Sequence, residues 1–507
     1  MPRQDGVEQG MAANAYFATA LFDGEAPVDW SPQGIFERFR KFFEDKLTHT
    51  GVTKLGYLDH LTYLLFLKID HERAQRPGRL ARSVVPSPYS WPTIASKSGD
   101  VLRTQFAQIL EELDKVPAGT DPQLSTVKAI FRDARQWNQQ HLPEIDSLIT
   151  DVLDEHHWSD HLPELGEAYG LLFAYCAKEV DVNREAGQVT TPPSLLRVVA
   201  AALAVTNSDR VVDLACGTAG SLLAAFDRMT ASGDRLDPNA YILGADIDPR
   251  IVRFATMNIL LNTNRPFTDV APVRLGDSLA EGGVILPLLN GEQPPTVVIC
   301  NPPYRSSTPI PAQRKDDLST SLYPAAFLKH IADALPLGAR AAVFVPDNVL
   351  SGVAAAAVLP ALFDNCEVHA LLRLPENTFR NGRNKSLIKA NVLFFTKREA
   401  SPSNEPATAR MWLFDARTDR PKDLTDSVLD SFLSSYLSEK SEYTPTSGFG
   451  PVSYEELSAR QFQLQNFSVR LEADVALLRP AKVIASEIAV NLAEAQQVFA
   501  DLADELA

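Results

Sequence analysis

The chain has 507 residues, 45% hydrophobic and 22% charged, which fits a folded soluble protein of about three domains at roughly 150 residues each. No apolar run approaches the ~18 residues of a membrane span, and the apolar stretch 11–22 follows Asp5 and Glu8, not the basic segment of a secretory leader. A net charge of −16 points away from a protein that grips nucleic acid unaided and toward one that shares the task with another chain, unless the charge serves solubility alone.

Cys176, Cys216, Cys300 and Cys366 form no CxxC pair, which argues against a zinc site or a disulfide framework and fits a reducing cytoplasm. His157 and His161 stand four apart, but no further Cys or His nearby completes a metal site, so no metal is expected. In chain order, the first ~160 residues read as helical. Ile35, Phe39, Phe42 and Leu47 recur at near-helical spacing, and Leu58, Leu61, Leu65 and Ile69 recur at 3-4-4. A third helix is expected to start at the Ser98-Gly99-Asp100 signal and to carry Phe106, Ile109 and Leu113.

Near Gly187 the pattern changes. Short β-type runs at 211–214, 241–244, 273–275, 297–300, 341–345, 368–374 and 392–395 alternate with helical stretches, which implies an α/β domain with a doubly wound parallel sheet. Residues 401–406 read as a linker, followed by further helical segments. The last of these, 480–507, has Pro480 at its first turn and an apolar seam through Ile484, Ile488, Leu492, Ala495, Phe499, Leu502 and Leu506. The expected division is 1–165 helical, 166–400 α/β, and 401–507 ending in a long partner-binding helix.

Four sites carry chemistry. The first, VVDLACGTAG at 211–220, runs from a β-branched strand into a small-residue turn and a helix. Such a turn lets backbone approach a ligand and aims helix N–H groups at it. Asp213, Ala215, Gly217, Thr218 and Gly220 are the binding candidates here, and the spacing is not the GxGxxG of nicotinamide enzymes. The second is Asp246, with Asp248 as second choice, where an acid at a strand end can accept ribose hydroxyls. The third, Asp277 after the third strand, can accept from an adenine amino group.

The fourth is Asn301-Pro302-Pro303-Tyr304, directly after an apolar strand. The lone pair of an aromatic amine is delocalised into its ring. An amide oxygen on Asn301 and the carbonyl of Pro302 can both accept from that amine and favour a pyramidal nitrogen. The prolines fix the carbonyl's direction, and Tyr304 offers a face on which an extruded base can stack. These four residues are the catalytic candidates.

These motifs resemble the amino-methyltransferases. More narrowly, most of the chain resembles the modification subunit of type I restriction–modification systems. The turn DLACGTAGSL is similar to that family's D-x-ACGTGG-F-L, and AGQVTTP at 186–192 to its AGQ-aromatic-aromatic-TP segment. GARAAVFVPDNVL, LPENTF with NVLFFTK, and upstream DHLTYLLFLK and YSWPTIASKSGDVL match further family segments. The resemblance implies a Rossmann-like sheet that binds S-adenosylmethionine and methylates N6 of adenine in double-stranded DNA. It implies that Gln188, Thr191 and Pro192 close over the methionine end of the cofactor. It also implies a cytoplasmic complex of two such subunits with one specificity subunit, which a restriction subunit can join. Val189 and Thr190 stand where the family has aromatics, Ala219 replaces a glycine, and Asp246 replaces a glutamate.

Other readings stay open at this point. A glutamine-amide or RNA amino-methyltransferase also uses NPPY, but the former is usually far shorter. A silent DNA-defence scaffold would not need the intact turn. N4-cytosine chemistry remains open, whereas a C5-cytosine enzyme would need a Pro-Cys nucleophile, and Cys300 follows Ile299.

Overall fold

A computed structural model describes residues 28–77, 82–117, 122–137, 144–177, 191–265, 270–280, 293–304, 322–379, 389–399, 405–417, 423–438 and 448–467, with 489 and 496. Among them the expected strands all form: β1 Arg210–Asp213, β2 Tyr241–Asp246, β3 Val273–Leu275, β4 Val297–Cys300, β5 Arg340–Pro346, β6 Cys366–Arg373 and β7 Ala390–Lys397. Two more, β8 Arg410–Asp415 and β9 Phe449–Ser453, extend the same sheet past residue 400, where only helices were expected. The order is β3-β2-β1-β4-β5-β7-β6-β8-β9.

The sheet is mixed, which corrects the all-parallel expectation. β7 lies antiparallel to both β5 and β6, and β9 antiparallel to β8, while β1 to β5 pair parallel. β7 is buried along nearly its whole length, so its apolar run reads alike in either direction. β9 was illegible for another reason. FGPVS carries a glycine and a proline, a composition that strands tolerate at a sheet edge.

Alternate residues of each strand enter opposite cores. Val212, Val298 and Val343 pack under the helices Tyr323–Ala334 and Gly352–Asn365. Val211, Val297, Ile299 and Phe344 pack under Pro193–Ala202, Gly220–Thr230 and Asp426–Leu437. After β3 the chain returns to the other side of β1, so strand order reverses between β1 and β4. In open α/β sheets ligands settle in the crevice at the carboxyl ends of such a switch point. Asp213 and Asn301 stand at those two ends.

The helices before residue 178 share a core of their own. Lys54–Ala74 runs through its middle, buried on all sides, and its charged groups find partners inside. Lys68 lies 3.0 Å from Asp154 and 3.6 Å from Glu72. Asp70 accepts the Val84 amide at 3.0 Å. His161 lies flat on Trp30, ring centroids 3.8 Å apart. The helix Leu162–Ala177 runs unbroken through the expected boundary at 165/166.

The helix Pro249–Thr263 joins the two cores. Phe254, Met257, Leu260 and Leu261 enter the helical core, while Val252, Ala255 and Ile259 enter the sheet's core. The expected C-terminal helix 480–507 apart from Ala489 and Gln496, the segment 186–190 with Gln188, and most of the 401–406 linker lie outside the described residues.

Candidate active site at the carboxyl ends of the central strands

Asp213 ends β1 and organises the turn that follows. One carboxylate oxygen accepts the Ala215 amide at 2.9 Å and the other accepts the Ser221 hydroxyl. Burial pushes its carboxyl up to about 6, against the pull of those two donors. Gly217 takes φ +52 and Ala219 φ +70, a region that costs an L-residue roughly 1–2 kcal/mol. Thr218 is fixed through its carbonyl, which accepts from Asn258 Nδ2 at 2.9 Å.

The turn leans closely on β2. The Cys216 amide donates to the Ala245 carbonyl at 2.9 Å, and a Cβ added to Gly244 would meet Cys216 Sγ at 2.7 Å. Gly244→Ala is therefore expected to cost about 1–3 kcal/mol by forcing the turn outward. Denaturant unfolding checks this, and an unchanged midpoint would mean the turn yields freely.

Asp246 ends β2 and is buried. Its oxygens accept the Gly217 amide at 3.1 Å and the Asp248 amide at 3.0 Å, leaving further lone pairs on each. Burial pushes its carboxyl up to about 6. Asp248 lines the same cavity as Asp246 and also has a structural job. Its side chain caps the helix Pro249–Thr263, accepting the Arg250 amide at 2.8 Å and that of Ile251 at 3.4 Å. Asp277 accepts the Leu279 amide at 2.8 Å, and Ser278 donates to the Leu214 carbonyl at 2.7 Å.

At the end of β4, Asn301 Nδ2 donates to Thr191 Oγ1 at 2.9 Å. Among the described residues, neither the buried Asn301 Oδ1 nor the buried hydroxyl of Tyr304 has a hydrogen-bond partner. Tyr304 meets Phe379 edge-on, ring centroids 6.2 Å apart at 84°. Asn301 and Tyr304 line a cavity of about 1200 Å³. Thr191, Asp213, Ala215, Gly217, Thr218 and Gly220 share it with Asp246, Asp248, Asp277 and the whole Asn301–Tyr304 turn. That exceeds the roughly 300–1,000 Å³ of a usual single-ligand pocket, leaving room for a nucleoside cofactor and a base. Pro192 is not at its wall. It precedes the helix Pro193–Ala202 and accepts the Leu196 amide at 3.2 Å.

A family model described as N-6 DNA Methylase matches residues 161–468. The chain belongs to the N-6 DNA methylase family. The methylase subunit of type I restriction enzyme StySPI from Salmonella potsdam is 31% identical over 397 residues, 74% of this chain and 70% of that one. The EcoKI methylase subunit of Escherichia coli K12 is 30% identical over the same shares. A structure of the type I R-M system is similar with a TM-score of 0.65 at 20% identity, covering 95% of this chain and 99% of its own. The type I methyltransferase subunit of Streptococcus thermophilus is similar with a TM-score of 0.61 at 16% identity, covering 86% and 98%. These two likenesses bear on fold. The methylase is thus a type I modification subunit, an adenine-specific N6 DNA methyltransferase.

Sequence reasoning missed the supports of this methylase's site. Ser221 and Asn258 sit on helices where nothing local marks them, and nothing in the sequence shows that Thr191, which lines the cavity, also holds the Asn301 amide. The orphaned Tyr304 hydroxyl has a testable consequence. Tyr304→Phe removes a buried unsatisfied group and is expected to stabilise the free protein by about 1 kcal/mol while leaving methylation near the parent rate. A large loss of rate in the folded variant would show that the hydroxyl gains a partner when DNA binds.

Proposed function

We propose that the 213–220 turn, Asp246 and Asp277 hold S-adenosylmethionine, and that Asn301, Pro302, Pro303 and Tyr304 receive an adenine turned out of the duplex. The residues fit such a cofactor: a turn with a left-handed glycine for close approach, a buried acid with unused lone pairs at a strand end, and a cavity large enough. When bound, it supplies an electrophilic methyl group on a cationic sulfur. Asp246 accepts from the ribose hydroxyls and Asp277 from the cofactor's adenine amine.

The observation that carries this reading is the polarity of the Asn301 amide. With Nδ2 engaged by Thr191, Oδ1 is left buried and, among the described residues, unpartnered, on a residue that lines the cavity. The target amine satisfies Oδ1, and the Pro302 carbonyl takes its second hydrogen. Both bonds draw the nitrogen out of conjugation and leave its lone pair free. Tyr304 stacks on the base. An amide oxygen fits adenine's exocyclic amine, and family membership favours N6 over cytosine N4.

We assign the helical unit to residues up to 177 and the α/β unit from 191 through β9. The partners we propose are a specificity subunit, a second copy reached through it, and a restriction subunit where one is present, all in the cytoplasm. The apolar seam of 480–507 is the proposed contact with the specificity subunit. Deleting 481–507 is expected to leave a folded chain that binds S-adenosylhomocysteine by calorimetry but no longer co-purifies with its partner. Full-yield co-purification would remove the seam from the interface, and an insoluble product would assign it to the chain's own core.

A further inference from the structure

Asp59 lies in the middle of the buried helix Lys54–Ala74, fully shielded from solvent, and it is unusual in what it holds. Arg250 Nε donates to its Oδ2 at 2.7 Å, with Arg250 Nη2 on the same oxygen. Arg253 Nη1 donates to Oδ1 at 2.5 Å. Arg253 is itself fixed from the helical unit. Its Nε donates to the Ile130 carbonyl at 2.7 Å and its Nη2 to the Arg132 carbonyl at 2.6 Å, and its guanidinium lies 4.8 Å from the Tyr63 ring centre. Both arginines belong to the first turns of Pro249–Thr263. A buried ion cluster of this kind adds little stability over apolar packing, but its directional bonds allow few positions.

That helix reaches the cofactor site at two places. Its cap, Asp248, gives its backbone N–H to Asp246 Oδ1 at 3.0 Å. Further along the helix, Asn258 holds the Thr218 carbonyl of the cofactor turn at 2.9 Å. A continuous series of directional bonds therefore runs from Asp59 through Arg250 and Arg253 to the cap, to Asp246, and along the helix to the turn. We infer that Asp59 is a positioning residue. Through Arg250 and Arg253 it sets the helix Pro249–Thr263 so that Asp246 meets the ribose of the cofactor, coupling the helical unit to methyl-donor binding. The inference rests on the assignment of Asp246 to the ribose.

The test compares S-adenosylhomocysteine with its 2′,3′-dideoxy analogue on the full-length chain by calorimetry. The parent is expected to prefer the hydroxylated ligand by about tenfold or more, because a carboxylate accepts from its ribose. In Asp59→Asn that preference should fall at least several-fold. A variant that is merely less folded would lose both affinities together and keep the ratio. Arg250→Gln removes the less buried arm of the cluster and should shift the ratio in the same direction, so it decides the matter if Asp59→Asn does not fold. An unchanged ratio in folded Asp59→Asn, or in Arg250→Gln, overturns the coupling. Asp246→Asn in the same series separates the two claims. If it abolishes the preference while Asp59→Asn does not, the coupling alone fails. If the parent shows no preference, or Asp246→Asn keeps it, the ribose assignment fails and the coupling goes with it.

Discussion

Asn301→Ala is expected to lower the rate of adenine methylation by a factor of about 10²–10³ or more, comparable to losing one preorganised group from a site that stabilises developing charge. Cofactor affinity should stay within about twofold of the parent, since the lost interaction belongs to the transition state. The reason is geometric. Among the described residues Asn301 Oδ1 is buried without a partner while Thr191 takes the amide's nitrogen end, so the acceptor is oriented before any base arrives. Alanine removes the acceptor and leaves Thr191 Oγ1 facing the space. Thr191→Val should act more mildly, releasing the amide without removing it. Single-turnover assays with the assembled complex check both. A near-normal rate for Asn301→Ala would remove the side chain from the mechanism.

Asp246→Asn is expected to weaken S-adenosylmethionine binding by about 1–3 kcal/mol, roughly 5- to 150-fold, because ribose hydroxyls lose a charged acceptor in a buried place. The parent's affinity should also depend on pH. Burial raises the Asp246 carboxyl to about 6, so it accepts well above that value and becomes a donor below it. Affinity should therefore be full near pH 7.5 and fall as pH drops through about 6.

The stability of the free chain runs the other way for this group. An acid whose folded value is raised stabilises the fold below its unfolded value, near 3.9, and that contribution is lost as pH rises through about 6. Asp213, also raised to about 6, adds in the same direction. The rise in melting temperature on adding cofactor should thus grow between pH 5 and 7.5. A pH-independent rise, or an Asp246→Asn variant with parental affinity, would take Asp246 out of the site.

Much of this molecule was legible because the site consists of strand ends. Each strand leading into it is an apolar run, and each chemical group stands at its carboxyl end: Asp213 and Asp246 as the last residues of β1 and β2, Asn301 directly after β4. What brings them together, the reversal of order between β1 and β4, follows from alternation of strands and helices. Periodicity is silent on direction, so β7 read as one more parallel strand. It is also silent on edges, so β9 was missed, and with it β8, which lies between β6 and β9.

Position alone does not show what else an acid holds. Asp248 lies two residues from Asp246, and only the helix that starts beside it shows that one of its carboxylate oxygens caps that helix. Long-range supports such as Ser221, Asn258 and Asp59 have no local signature at all, because their partners lie 8, 40 and more than 190 residues away.

The most direct measurement supplies the complex assembled with a specificity subunit with duplex DNA containing its site and S-adenosylmethionine labelled on the methyl group. The product is then digested to nucleosides. The label should appear as N6-methyladenine in the parent and be absent with Asn301→Ala at equal cofactor occupancy. Label on cytosine N4 or on a protein amide in the parent, or undiminished N6-methyladenine from Asn301→Ala, would contradict the assignment of Asn301 as the acceptor for the adenine amine.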